Sequence, residues 1–155
     1  ESTVANTQAM CTSFMGELLT GTHNFTPSTG DTFKAALYLT TATINASTTA
    51  YTATGEVTGT GYSAGGISVT NAVAPSSTNA SATAGTAYWT PSASLSYTSV
   101  TLSTAFDTVL IYNSSKSDKS VSVHTFGSQT VTAGTFTLTM PSNTTSTALL
   151  RLATT

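Results

Sequence analysis

The chain is predicted to be all-β: an antiparallel β-sandwich of immunoglobulin-like or jelly-roll type with a short N-terminal helix or arm. Three observations predict it. From Thr32 onward apolar residues recur at every second position rather than every third or fourth. Short apolar segments are separated by clusters of Gly, Pro, Ser and Asn at close intervals, as in sandwiches and barrels. Threonine supplies 37 of the 155 residues, and its branched Cβ suits a pleated surface while its hydroxyl keeps the outer face wet without charge. With 22 Ser and 20 Ala, threonine makes up half the protein.

The first element is the one departure from period two. Met10, Phe14 and Leu18 fall four apart, and Cys11, Met15 and Leu19 repeat that spacing, so a helix is expected within residues 5–20 with a single apolar stripe. Gly16 weakens it, and Gly21 is a reasonable stop. The stripe must be covered either by the sandwich or by a neighbouring subunit. Residues 1–22 are therefore read as a helix or arm and residues 23–155 as one sandwich domain.

Strands follow. Phe33, Ala35, Leu37 and Leu39 alternate with Lys34, Ala36 and Tyr38; Ile67, Val69 and Val73 alternate with Ser68 and Thr70. The run from Asp107 to Tyr112 has no alternation, as expected where both faces or both neighbours are covered, which places it centrally in a sheet. Val121 and Val123, then Phe136, Leu138 and Met140, then Leu150 and Leu152 close the fold as separate strands, with turns expected at Gly127-Ser128, Ala133-Gly134 and Pro141-Ser142-Asn143. The segments 40–60 and 74–86 are poor in large apolar residues and read as long loops or edge strands.

Charge excludes several partners. Ten charged residues with a net charge of −2 provide no basic patch to neutralise a run of phosphates, so nucleic acid and anionic membrane are not expected partners. No stretch approaches the 18 or so apolar residues of a spanning helix, and no basic-then-apolar leader is seen. Cys11 stands alone, so no intrachain disulfide and no multi-cysteine metal site can form, and a buried, unreactive thiol is expected.

The residues that could carry chemistry stand in contexts that do not support it. Gly61-Tyr62-Ser63-Ala64-Gly65 matches the G-x-S-x-G nucleophile elbow by letters, but that elbow needs a buried strand before it and a helix after it. Here polar Thr58-Gly59-Thr60 precedes, and an alternating strand pattern follows, so a structural turn is expected. His23 and His124 have no metal-ligand spacing, even with Asp31, and Glu56, Asp107 and Asp118 form no recognisable acid pair. Lys116, Asp118 and Lys119 read as a solvated turn, with docking to an acidic partner as the sharper alternative. No catalytic residue, metal or cofactor is expected. Five Asn-x-Ser/Thr sequons, at Asn24, Asn45, Asn79, Asn113 and Asn143, are what so much Ser and Thr produces by chance.

The order of several short segments carries a resemblance. Thr32-Phe33-Lys34-Ala35-Ala36-Leu37-Tyr38, Ala50 to Val57 and Gly59 to Gly66 resemble the opening of a family of short tailed-bacteriophage virion structural proteins. Val109 to Asn113, Lys119 to Val123, Phe126-Gly127, Gly134 to Pro141 and Leu149 to Leu152 follow in the family's order, so the likeness runs from about Asn6 to Ala153. The resemblance implies a virion structural protein without enzymatic activity, similar to capsid decoration or cement proteins on the capsid exterior. Its implied partners are the major capsid protein and further copies of itself, as a homotrimer. Met10, Phe14, Met15 and Leu18 are the expected interface. The alternative is a tail or head-fibre adhesin that holds a host-surface glycan or protein on aromatic faces. Its candidates are Tyr51, Tyr62, Tyr97 and above all Tyr88 with Trp89, unless Trp89 plugs the interior and Tyr88 alone faces out.

Overall fold

A computed structural model describes residues 5–79 and 81–154. It is an all-β sandwich of two antiparallel sheets with one short helix. The elements are β1 (Ala9–Met10), α1 (Thr12–Leu19), β2 (Phe33–Leu39), β3 (Ile67–Ser68), β4 (Ser76–Asn79), β5 (Gly85–Trp89), β6 (Leu95–Asn113), β7 (Lys119–Leu138) and β8 (Leu150–Ala153). The larger sheet has the order β1-β7-β6-β2-β3 and the smaller β4-β5-β8.

The unalternating apolar run lies where its sequence puts it. Val109, Leu110, Ile111 and Tyr112 sit in β6 between β7 and β2 and are all buried. Successive side chains on a strand point to opposite faces, so a run buried at every position needs cover on both sides. One face is covered by the segment 40–66, which crosses the sheet with only isolated bridges. It is tied down by Tyr38 Oη donating to the Thr52 carbonyl at 2.7 Å and Tyr112 Oη to that of Gly65 at 2.6 Å. The other face is covered by the smaller sheet. There Phe33 of β2 stacks on Phe25 with ring centroids 4.4 Å apart, and Phe25 meets Trp89 of β5 at 4.8 Å.

Two expectations are corrected. The helix spans Thr12–Leu19, not most of 5–20, because the preceding residues are engaged elsewhere. Ala9 and Met10 pair with Val123 and Ser122 of β7, and Thr7 donates its amide to the Ile44 carbonyl at 3.0 Å. Nor is the stripe single: Phe14 is buried at 2% exposure, whereas Met15 is 45% and Leu19 91% exposed.

The closing strands are also longer than the turn signals suggest. β7 runs without a break for 20 residues through both Gly127 and Gly134. The expected turns are absorbed as irregularities in the β6–β7 register, with Ser99 and Ala133 at φ 53° and 44° marking two of them. A bulge adds a residue and bends a strand without ending it.

Candidate functional site

The surface feature that gathers most of the singled-out residues is an apolar groove of about 300 Å³ between α1 and the smaller sheet. It is built from five places in the chain. β1 contributes Met10 and α1 adds Phe14 and Leu18; the loop after α1 gives Phe25, β5 gives Trp89, and β8 brings Leu150 and Leu152. The spacing of Met10, Phe14 and Leu18 thus delivers three side chains to one wall even though a strand, not a helix, carries the first. On the opposite wall the β5–β8 register pairs Ala87 with Leu152 and Trp89 with Leu150, so these four share the inner face. Leu152 remains 45% exposed at the groove's mouth. Met15, the fourth residue of the expected interface, does not line the groove and stands on the solvent side of α1.

Tyr88 and Trp89 part company, as neighbours on a strand must. Trp89 is 2% exposed, donates its indole N–H to Asn71 Oδ1 at 3.1 Å, and is packed against Phe25, which leaves no ring face for a sugar. Tyr88 lies opposite Arg151 and is half-buried at the groove's rim. Tyr51, Tyr62 and Tyr97 are equally committed, the first two to Glu56 and the third to the Ala35 carbonyl.

Behind the groove, a chain of polar groups fixes α1. Glu17 Oε2 lies 2.5 Å from His23 Nε2, and Asn113 Nδ2 lies 2.9 Å from His23 Nδ1 and 2.8 Å from Asp31 Oδ2. An Asn amide nitrogen can only donate, so His23 accepts at Nδ1 and gives its proton at Nε2 to Glu17. Lys119 at 3.2 Å from Glu17 and Lys116 at 3.7 Å from Asp31 close the two ends. Asp31 stays ionised below the usual carboxylate range: burial opposes this, but the bonds from Asn113 and the Asn24 amide, helped by the Lys116 charge, outweigh it. The cluster read as a solvated turn is therefore half engaged, its two lysines bracing α1 and the loop after it. It contains a base and two carboxylates but positions no nucleophile on them.

A second carboxylate, this one buried, forms a cluster that no spacing in the sequence announces. Glu56, 6% exposed, accepts from Tyr51 Oη at 2.5 Å, Tyr62 Oη at 2.7 Å and the Gly65 amide at 2.7 Å. Its partners stand five, six and nine residues away in sequence, a spacing no periodic pattern betrays. The G-x-S-x-G letters form the turn that supplies two of them, the Tyr62 hydroxyl and the Gly65 amide. Gly61 and Gly65 have φ of 79° and 89°, and β3, not a helix, follows. Burial beside Glu56 holds the Tyr51 phenol up at about 12. His124 lies apart from His23, on β7 beside a cleft with Gln8, Ser122 and Arg151; Cys11 is fully buried and burial pushes its thiol up. Among the described residues no three of His, Cys, Asp and Glu converge as metal ligands.

No family model, curated protein or solved structure matches this chain.

Proposed function

We propose that the chain is a non-enzymatic virion structural protein of a tailed phage, most concretely a decoration or cement protein. It sits on the capsid exterior and bridges neighbouring capsomers, with the major capsid protein and further copies of itself, as a homotrimer, for partners. One observation carries the reading beyond the resemblance of its segments. The apolar groove between α1 and the smaller sheet has Leu152 exposed at its mouth, and α1 exposes Met15 and Leu19 besides, on a chain with only ten charged residues. Such a surface loses little on being covered, because few ions must be desolvated, and it gains from apolar area and hydroxyl hydrogen bonds. Many copies on one shell supply avidity even where each contact is modest. The titratable clusters support the same reading, since His23, Glu17, Asp31 and Glu56 are each engaged in holding one element against another. The adhesin alternative keeps only Tyr88 of its best pair.

The test is rebinding. Purified protein is mixed with capsids stripped of it, and the sedimenting fraction and the heat resistance of the shells are measured. Binding that raises shell stability and falls at least tenfold in the Met15→Ser, Leu19→Ser double variant is expected. Protein that ignores shells and adsorbs to host cells, with loss on Tyr88→Ala, would move the reading to the adhesin.

A further inference from the structure

The two sheets are unequal, and the smaller one stops short of covering the inner face of the larger. β8 is its outer strand, and the phase of its hydrogen bonds is fixed. Thr154 donates its amide to the Gly85 carbonyl at 3.0 Å, in step with the pairing of Leu152 to Ala87 and Leu150 to Trp89. Bonded and non-bonded pairs alternate along an antiparallel ladder. Leu150, Leu152 and Thr154 therefore turn their main-chain groups toward β5, while Arg151 and Ala153 turn theirs outward. No strand of the described residues takes them up.

Beside that edge lies a cleft of about 460 Å³. Its floor is the inner face of the larger sheet: Met10 and Ser122 are cross-strand partners, and Gln8, just before β1, and His124 of β7 stand beside them. Arg151 is the one permanent charge lining it, and Arg151 has no carboxylate partner among the described residues. An open strand edge beside a cleft, over a floor in which Gln8 is exposed, Met10 and His124 are half-buried and Ser122 is buried, has the shape of a place for one more strand.

We infer that β8 accepts an extended peptide from another protein, which continues the smaller sheet, lies over Gln8, Met10, Ser122 and His124, and carries an acidic residue beside Arg151. Main-chain bonds to Arg151 and Ala153 give the affinity, and the arginine gives the preference for an acid. A second copy's β8 offers the same main-chain groups. Two-fold pairing of residue 151 with residue 153, however, brings the two arginines to diagonal positions on one face, where like charges oppose each other. The inference does not rest on the virion reading, and its failure would leave that reading standing.

The probe is acetyl-Thr-Thr-Val-Glu-Val-Thr-Thr-amide, titrated into the whole chain while backbone amide resonances and their hydrogen exchange are followed. The expected result is saturable shifts and at least tenfold slowed exchange at Arg151 and Ala153. Binding should weaken at least tenfold when alternate peptide nitrogens are methylated, and about fivefold when the peptide's glutamate is lysine. Arg151→Gln should abolish that glutamate preference. Ala153→Pro removes an outward N–H without touching the β5 ladder, and should lower affinity tenfold; should that variant fail to fold, the methylated peptide on the natural chain decides alone. Equal binding of the methylated peptide, no response at Arg151 and Ala153, or protection of those amides that grows with protein concentration without peptide would each overturn the inference.

Discussion

At the scale of single residues, burial decides which titratable groups matter. Glu56 and His23 are each fully provided with partners, whereas His124 is not. Burial holds its pKa down to about 4 from the ordinary 6.5, and its Nε2 meets the Ser122 hydroxyl at 2.8 Å. A histidine kept neutral by the fold binds its proton more readily in the unfolded chain. Its contribution to stability is complete above pH 6.5 and is lost as the pH falls toward 4. Allowing for partial exposure, the loss is on the order of 2 kcal/mol. Asp31 does not interfere in that window, since its carboxyl titrates below the ordinary 3.8. Thermal melts of the natural chain should therefore drop by several degrees more between pH 7 and 4.5 than those of His124→Gln. Superimposable pH profiles would show that His124 is not held neutral by its site.

At the scale of elements, the N-terminal segment belongs to the core. Cys11 and Phe14 are buried among the residues of both sheets, Asn6 Nδ2 donates to Asp107 Oδ1 at 2.7 Å, and Glu17 anchors the relay through His23. Removing residues 1–20 would strip a strand, a helix and at least two core side chains. Truncating one buried Phe to Ala alone costs about 3–5 kcal/mol. The truncation is expected to unfold the protein, so circular dichroism should show lost structure before any question of assembly arises; a truncated chain with an unchanged melt would contradict the packing of Phe14. The apolar spacing of this segment was legible in the sequence, but its secondary structure was not. A period of four residues on paper is compatible with β1, a tight entry at Cys11 and α1, because Met10 reaches the same groove from the strand. β6 was legible at its centre, where 109–112 lack alternation. Its far half was not, since bulges at Ser99 and Ala133 scramble the period on which such a reading depends. The groove and the Glu56 cage stayed hidden for a further reason, their members being brought together by topology rather than by spacing.

At the scale of the whole molecule, the shortage of charge becomes an expectation about assembly. Two of the four Lys/Arg side chains, Lys116 and Lys119, are already paired with Asp31 and Glu17 within the chain, leaving few ions free to reach a neighbour. In the proposed homotrimer, contacts between copies would then depend on apolar area such as Met15, Leu19 and Leu152 and on hydroxyl hydrogen bonds. Exposed ion pairs are weakened by salt because the screening length shrinks from about 10 Å at 0.1 M to about 3 Å at 1 M, whereas apolar burial is not. Sedimentation equilibrium in 0.05 M and 0.5 M sodium chloride should give association constants within about twofold of each other. Warming from 5 to 25 °C should strengthen association, as hydrophobic contacts do over that range. Dissociation by salt of tenfold or more would instead place the contact at Lys34 or Arg151, the two cations without an ion pair among the described residues, and remove the apolar groove from the interface.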